Sequence, residues 1–379
     1  MKILILARHL NRAGAERQIV TLANGLASIG ENVTVAVFYK GGALDGELES
    51  SVTFIDFGKA NRWDLANLAI RFGKLVNDGG YDVVYSFLVP PNILTLVALV
   101  LRFRNKQPKI VWGIRDSEVD YSEYGFIRRL LPLIQLFFLG VPNRVIVNSQ
   151  AAFNELAHKN AKFIGKLKCV PNGIDTDFFV TNQKKGAKTR LKLGIKKNVK
   201  LITMLAREDP KKGHEYFLRA ASEVCKVSNK YMFVCAGGQS PEFERYSKDL
   251  RDLTSKLGLD GRVKWVGEVS DVVGILNASD LVTVTSTMGE GFPNVIGEAM
   301  SCGKPVVVTD VGDSRIIVDD SEWVVSPKCP KSLAESWMSI LVKSSSELEI
   351  LGIRNRKNVI TNYSVGKMVQ DTLAILNNC

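Results

Sequence analysis

Residues 280–310 read DLVTVTSTMGEGFPNVIGEAMSCGKPVVVTD. LVTV and PVVV are short runs rich in β-branched residues, the signature of strands buried on both faces. The intervening NVIGEAM begins after Pro293 and stops before Gly303, with proline at the helix start and glycine past its end. A strand, a helix and a second strand within about 30 residues make one βαβ unit. Two glutamates, Glu290 and Glu298, bracket the helix start, where a phosphate would ordinarily be welcome.

The same alternation runs outward in both directions. KILILA, NVTVAVF, VTFIDF, YDVVYSF, KIVWGI and RVIVNS precede this unit, followed by KLITMLA, YMFVCAGG and RVKWVGEV, and EWVVSP closes the series. Amphipathic stretches separate them; in AERQIVTLANGLASIG, Ile19, Leu22, Ala23 and Leu26 share one face before Gly30. Apolar strands alternating with helices predict an α/β fold with parallel sheets covered on both sides. Two series predict two doubly wound, Rossmann-like domains facing across a cleft. The junction falls near VPNGIDTD (170–177), which assigns 1–172 to an N-terminal domain and 173–364 to a C-terminal one. NQKKGAKTRLKLGIKKN follows as a charged, strandless stretch. Helical pattern from about Leu333 to Asn378, broken at NYS (362–364), sends a last segment, about 365–379, back to the first domain.

The 379 residues carry a net charge of +11. Residues 101–172 hold 12 Lys/Arg against 5 Asp/Glu, so most of the excess is local and points to an anionic partner. Six cysteines without a CxxC pair indicate free thiols in a reducing compartment. Three histidines without ligand spacing argue against zinc. The apolar part of MKILILARHL is too short for a signal peptide. The longest apolar runs, 87–101 and 130–142, fall short of the ~18 residues of a membrane span. The expected location is cytoplasmic, peripheral on the inner face of the cytoplasmic membrane.

Three loops carry chemistry. In RHLNRAGAERQ, Gly14 permits close approach to a phosphate at a helix start, yet one glycine and Phe38-Tyr39-Lys40 after the second strand do not fit a dinucleotide fingerprint. In AREDPKKGHEYF, Arg207 and Lys212 flank a proline-containing loop at a strand end; a guanidinium grips a phosphate as a fork while an ammonium acts as a point charge. In the opening stretch, free amides near Asn294 and Val295 suit a phosphate, and Glu298 suits the vicinal hydroxyls of a ribose. The plainer reading of Glu298 is first-turn stabilisation by the helix dipole.

EGFPNVIGEAMSCGKPVVVTDVG resembles the E-x7-E segment of the retaining family 4 glycosyltransferases, of the bacterial surface-polysaccharide or lipid-linked-glycan type. AGAE in the glycine loop, VPNGID at the junction and the Arg-x4-Lys pair carry the same resemblance, which covers essentially the whole chain. It implies the two-domain GT-B fold. It also implies that Arg207 and Lys212 bind the donor diphosphate, that Glu290 contacts donor-sugar hydroxyls, and that Glu298 holds the ribose. Gly14 would approach the phosphates, Gly237, Val266, Gly267 and Val269 would line the nucleobase, and Phe292, Pro293, Asn294 and Val295 would complete the donor seat. Two departures stand out. Ala13 replaces the first of the family's usual glycine pair, and Arg115-Asp116 stand where many members have a histidine before aspartate. Arg115 and Asp116 are therefore candidate acceptor or donor-sugar contacts.

The function expected is transfer of a sugar, with retention, from a UDP-linked donor to a glycan or polyprenyl-linked glycan. No cofactor or metal is expected, since DTD at 175–177 reads as turn chemistry. The cluster RFRNKQPK (102–109) and Arg128-Arg129 in YGFIRRLLPLIQLFFLG suit an anionic membrane surface, with a core helix bearing exposed arginines as the alternative. A nucleotide-sugar epimerase of the same fold and a non-catalytic nucleotide-sugar-binding protein are the rival readings. No aromatic-interleaved basic motif supports nucleic-acid binding.

Overall fold

The computed structural model describes residues 1–61, 63–96, 107–115 and 126–379. Within them the chain divides into two compact units, Met1–Gly173 with Val365–Cys379, and Ile174–Ser364.

Unit one holds β1 (Lys2–Ala7), β2 (Asn32–Val37), β3 (Thr53–Asp56), β4 (Val83–Phe87), β5 (Lys109–Ile114), β6 (Arg144–Val147) and β7 (Leu167–Cys169). They form a parallel sheet in the order β3-β2-β1-β4-β5-β6-β7. Side chains alternate across a strand, and in β1 both sets are apolar: Ile3, Ile5 and Ala7 enter one core, Leu4 and Leu6 the other. Such a strand needs cover on both faces, and helices supply it. One of them is the C-terminal helix Val365–Asn377, whose Met368, Val369 and Leu376 are buried with Ile3 and Leu22. It packs on helix Gly14–Ser28 at Gly25, where a Cβ would stand 2.5 Å from Val369 Cγ2.

Unit two holds β8 (Lys200–Leu205), β9 (Tyr231–Ala236), β10 (Val263–Gly267), β11 (Leu281–Val284), β12 (Val306–Thr309) and β13 (Val324–Val325). Their order is β10-β9-β8-β11-β12-β13, again parallel. Its core centres on Phe217, Phe233 and Trp337, with ring centroids 5.3–6.0 Å apart. The charged stretch after the junction is helical over Gln183–Lys192. Asn182 caps it by accepting from the Lys185 amide, and Gly186 sits where a Cβ would stand 2.5 Å from the Asn277 carbonyl oxygen. The C-terminal helical region has a stop besides 362–364. Helix Pro330–Leu341 ends, and a capping box of Ser344 and Glu347 opens helix Ser345–Asn362.

In each sheet the strand order reverses between two neighbours, β1 and β4 in unit one, β8 and β11 in unit two. Loops leaving such a pair diverge to opposite sides, so a ligand crevice forms at their carboxyl ends. The tight seat of the C-terminal helix is open to test. Gly25→Val inserts bulk against Val369 and is expected to destabilise unit one by about 1–3 kcal/mol. Its urea-unfolding transition should then move to lower denaturant while that of unit two stays in place.

Candidate active site

Three loops converge at the switch point of unit two. The loop after β8 carries Arg207, which is exposed, then a 3-10 turn over Pro210–Lys212 held by Asp209, whose side chain accepts from the Lys211 amide. Gly213 ends the turn at φ 72°, and a Cβ there would stand 2.1 Å from the Thr285 carbonyl oxygen. This absence of a side chain lets the loop lie directly on the exit of β11. Two bonds lock the apposition: the Thr285 hydroxyl donates to the Lys212 carbonyl (2.9 Å) and the Thr287 amide to the Lys211 carbonyl (2.8 Å). Lys212 Nζ is thereby brought onto Glu290 Oε1, which also accepts from Ser286 Oγ at 2.6 Å. The loop after β12 closes the third side, with Gly312 against the Glu290 carbonyl and the Asp313 amide donating to the Gly291 carbonyl (3.0 Å).

Helix Asn294–Ser301 leaves this convergence, with Pro293 in the N-cap position and no acidic residue in its first turn. Glu298 is the fifth helical residue and half-buried. First-turn dipole stabilisation is therefore not the reason for this carboxylate, because that effect fades beyond the first turn. Asn294 and Val295 open the helix at its amide-rich end, both half-buried. Phe292 and Pro293 are buried, and the Phe292 ring packs on Tyr363 with centroids 5.3 Å apart. These two residues set the helix entry angle and direct no side chain outward.

The remaining residues assigned to the nucleobase lie at the ends of β9 and β10. Gly237 has φ 155°, and a Cβ there would stand 1.9 Å from the Ala206 carbonyl oxygen. Strand-to-strand approach by itself requires this glycine. Gly267, at φ 67°, accepts from the Gly237 amide at 2.8 Å. Val266 and Val269 are half-buried against the cluster of Ile195, Leu201 and Ile275. Sequence reading missed Thr285 and Gly312, whose partners are distant in the chain, and Ser286, which lies only four residues before the Glu290 it bonds. Gly213 was visible next to Lys212, but its backbone contact was not. Among the described residues, no group of three His, Cys, Asp or Glu side chains is placed to hold a metal ion.

In unit one, Gly14 is exposed and is the first residue of its helix. Arg115 follows β5 and is buried. Its Nη1 donates to Asn172 Oδ1 and its Nη2 to Tyr85 OH, both at 3.1 Å, and its guanidinium lies 5.0 Å from the Phe87 ring centroid. The candidate contact is thus tied into the interior of its unit. Burial pushes the Tyr85 hydroxyl pKa up, and the neighbouring Arg115 opposes that. Asp116 and most of RFRNKQPK lie outside the described residues, as do the side chains of Arg128 and Arg129. Helix Phe126–Phe137 leaves Leu133 61% and Phe137 80% exposed, so its apolar surface is only partly used by the core. No described helix is long and apolar enough to cross a membrane.

His214, directly after Gly213, is buried, and desolvation pushes its pKa down to about 4 while Glu208 acts in the opposite sense. In the unfolded chain the same group titrates near about 6.5. Between these values the unfolded state takes up a proton that the folded state refuses, so stability is lost as pH falls through this window. The loss amounts to roughly 3 kcal/mol at the lower limit. Denaturant midpoints of unit two, followed by tryptophan fluorescence from pH 7 to pH 4.5, should fall with acidity, and His214→Gln should flatten that dependence.

The family model of glycosyl transferases group 1 matches residues 187–358, and that of Glycosyltransferase Family 4 matches residues 12–178. An Escherichia coli UDP-Gal:alpha-D-GlcNAc-diphosphoundecaprenol alpha-1,3-galactosyltransferase is 23% identical over 310 residues, 79% of this chain and 76% of its own. A D-inositol 3-phosphate glycosyltransferase of Mycolicibacterium smegmatis is 30% identical over 180 residues, 47% of this chain but only 40% of that protein. Among solved structures, Anabaena HepE in complex with UDP superimposes with a TM-score of 0.83 at 23% identity, both chains covered completely. A Rickettsia africae glycosyltransferase gives 0.83 at 18% identity, with 100% of this chain and 98% of the other covered. The fold is GT-B, and with the two models spanning most of its length, the chain belongs to the family 4 glycosyltransferases.

Proposed function

We propose that this protein is a retaining glycosyltransferase that moves a sugar from a UDP-linked donor to a lipid-linked glycan in surface-polysaccharide synthesis. The observation that carries the reading is the convergence of Lys212, Glu290 and the start of helix Asn294–Ser301 at the switch point of unit two, with exposed Arg207 on the same loop. As the bond to the sugar breaks, negative charge develops on the departing diphosphate. Arg207, Lys212 and the helix amides are complementary to that charge, and Glu290 and Glu298 accept hydrogen bonds from donor-sugar and ribose hydroxyls. The departing phosphate oxygen itself takes the acceptor's proton, so the reaction needs neither a separate base nor a metal. UDP as the nucleotide is supported by the complex of the Anabaena neighbour, and a diphosphate-linked lipid acceptor by the name of the Escherichia coli relative.

Titration with UDP, GDP, ADP and TDP tests the site. UDP is expected to raise the melting temperature of the wild type selectively, because a ligand that binds only the folded state stabilises it. Arg207→Ala and Lys212→Ala are each expected to lower turnover by a hundred- to thousandfold, the usual loss when one charge-stabilising donor is removed. Donor consumption without any acceptor would instead identify an epimerase.

A membrane-facing surface on unit one completes the proposal, with exposed Leu133 and Phe137 entering the interface a few residues after Arg128-Arg129 in the sequence. Vesicles containing phosphatidylglycerol should float the wild type at low salt, and Leu133→Asp/Phe137→Asp should stay in the dense fraction. Equal flotation of both proteins would dismiss this surface.

A further inference from the structure

The loop that bears Arg207 and Lys212 is anchored from beneath by groups the proposed reaction does not use. Glu208 stands between the two cations and is buried, whereas Arg207 is exposed. The backbone here is extended: Glu208 forms a parallel bridge with Gln239, and its amide donates to the Gly238 carbonyl at 3.1 Å. Successive side chains of extended backbone point to opposite sides. Holding Glu208 inward therefore holds Arg207 outward.

What holds Glu208 is Arg251, on helix Glu244–Lys256. Its Nη2 donates to Glu208 Oε1 at 2.6 Å, and its guanidinium carbon lies 3.6 Å from the centroid of the Trp265 ring. Trp265 belongs to β10, and the same ring stacks with His214, centroids 6.1 Å apart and planes at 21°. His214 closes the loop directly after Gly213. Both ends of the segment 208–214 thus rest on one Arg–Trp stack, with Lys212 between them.

Glu208 Oε2, Arg251 Nη1 and Trp265 Nε1 are all buried without a hydrogen-bond partner among the described residues. Packing alone is a poor explanation for such a group of atoms, because apolar side chains of the same volume often serve stability equally well or better.

We propose that Glu208 and Arg251 are positioning residues that set the height and direction of Arg207 and Lys212 toward a nucleoside diphosphate. This rests on the function proposed above. The pair touches no substrate and acts through the two cations.

The test uses the full chain, UDP as probe, and two variants: Arg251→Met, and the apolar pair Glu208→Leu/Arg251→Met. The single variant leaves a buried carboxylate unpaired and should lower the melting temperature; the double variant should recover most of that loss. The UDP dissociation constant, measured by calorimetry, should rise about tenfold or more in the double variant and stay raised, since 1.4 kcal/mol of misplacement is already a factor of ten. A role confined to stability predicts instead that melting temperature and UDP affinity return together. A double variant that melts like the wild type and binds UDP within twofold of it overturns the proposal. A wild type that binds none of the nucleoside diphosphates overturns the functional reading and this role with it. A wild type that binds beside a double variant that binds equally removes only the role of the pair.

Discussion

Direct backbone-to-backbone contact between two strand exits governs the site. Gly213 lies on the Thr285 carbonyl at a distance no side chain tolerates, and everything that makes the crevice chemically coherent follows from it. With the loops in contact, the threonine hydroxyl and amide groups at 285 and 287 find the carbonyls of Lys212 and Lys211. Only then does Lys212 reach Glu290. Close approach repeats on the other side, where Gly312 meets the Glu290 carbonyl. The parallel sheet supplies the converging strand ends, and glycines convert convergence into contact.

That construction also reconciles carboxylates with a phosphate site. Glu290 is held by Ser286 and by Lys212, so its charge is partly balanced before any ligand arrives. A fixed ion pair of this sort keeps the ammonium from wandering. In the proposed reaction the cation then needs little reorganisation as charge develops, which is the condition under which electrostatic catalysis is strongest.

Much of this architecture was legible in the sequence because it is local. Doubly apolar strands such as KILILA announce a parallel sheet, and the Pro293-to-Gly303 interval marks a helix with its ends. Arg207 and Lys212, or Glu290 and Glu298, are close enough in the chain to suggest a shared task. Pairings across long intervals were invisible: Lys212 with Glu290, Glu208 with Arg251, Gly186 against Asn277. Glycines were legible as signals but not as causes. Gly237 reads as part of a ligand loop, and what the sequence does not reveal is that the Ala206 carbonyl leaves no room for a side chain there. The lysine-rich run after the junction reads only as a charged, strandless stretch because its charges mask an ordinary capped helix. Phe292 shows the converse, a residue adjacent to the site whose ring serves the core.

The chain enters unit two at Ile174 and leaves it at Ser364, and these two residues form a bridge side by side. Unit two is consequently an insertion between the penultimate and final elements of unit one. On the ribosome, unit one emerges before unit two but lacks the helix packed with Leu22 and Ile3 until all of unit two has been synthesised. Unit two, read second, has all its core residues before that helix exists. The order of completion therefore inverts the order of synthesis, and the first unit must wait with one sheet face covered by helix Gly14–Ser28 but not yet by the last helix while the second one folds.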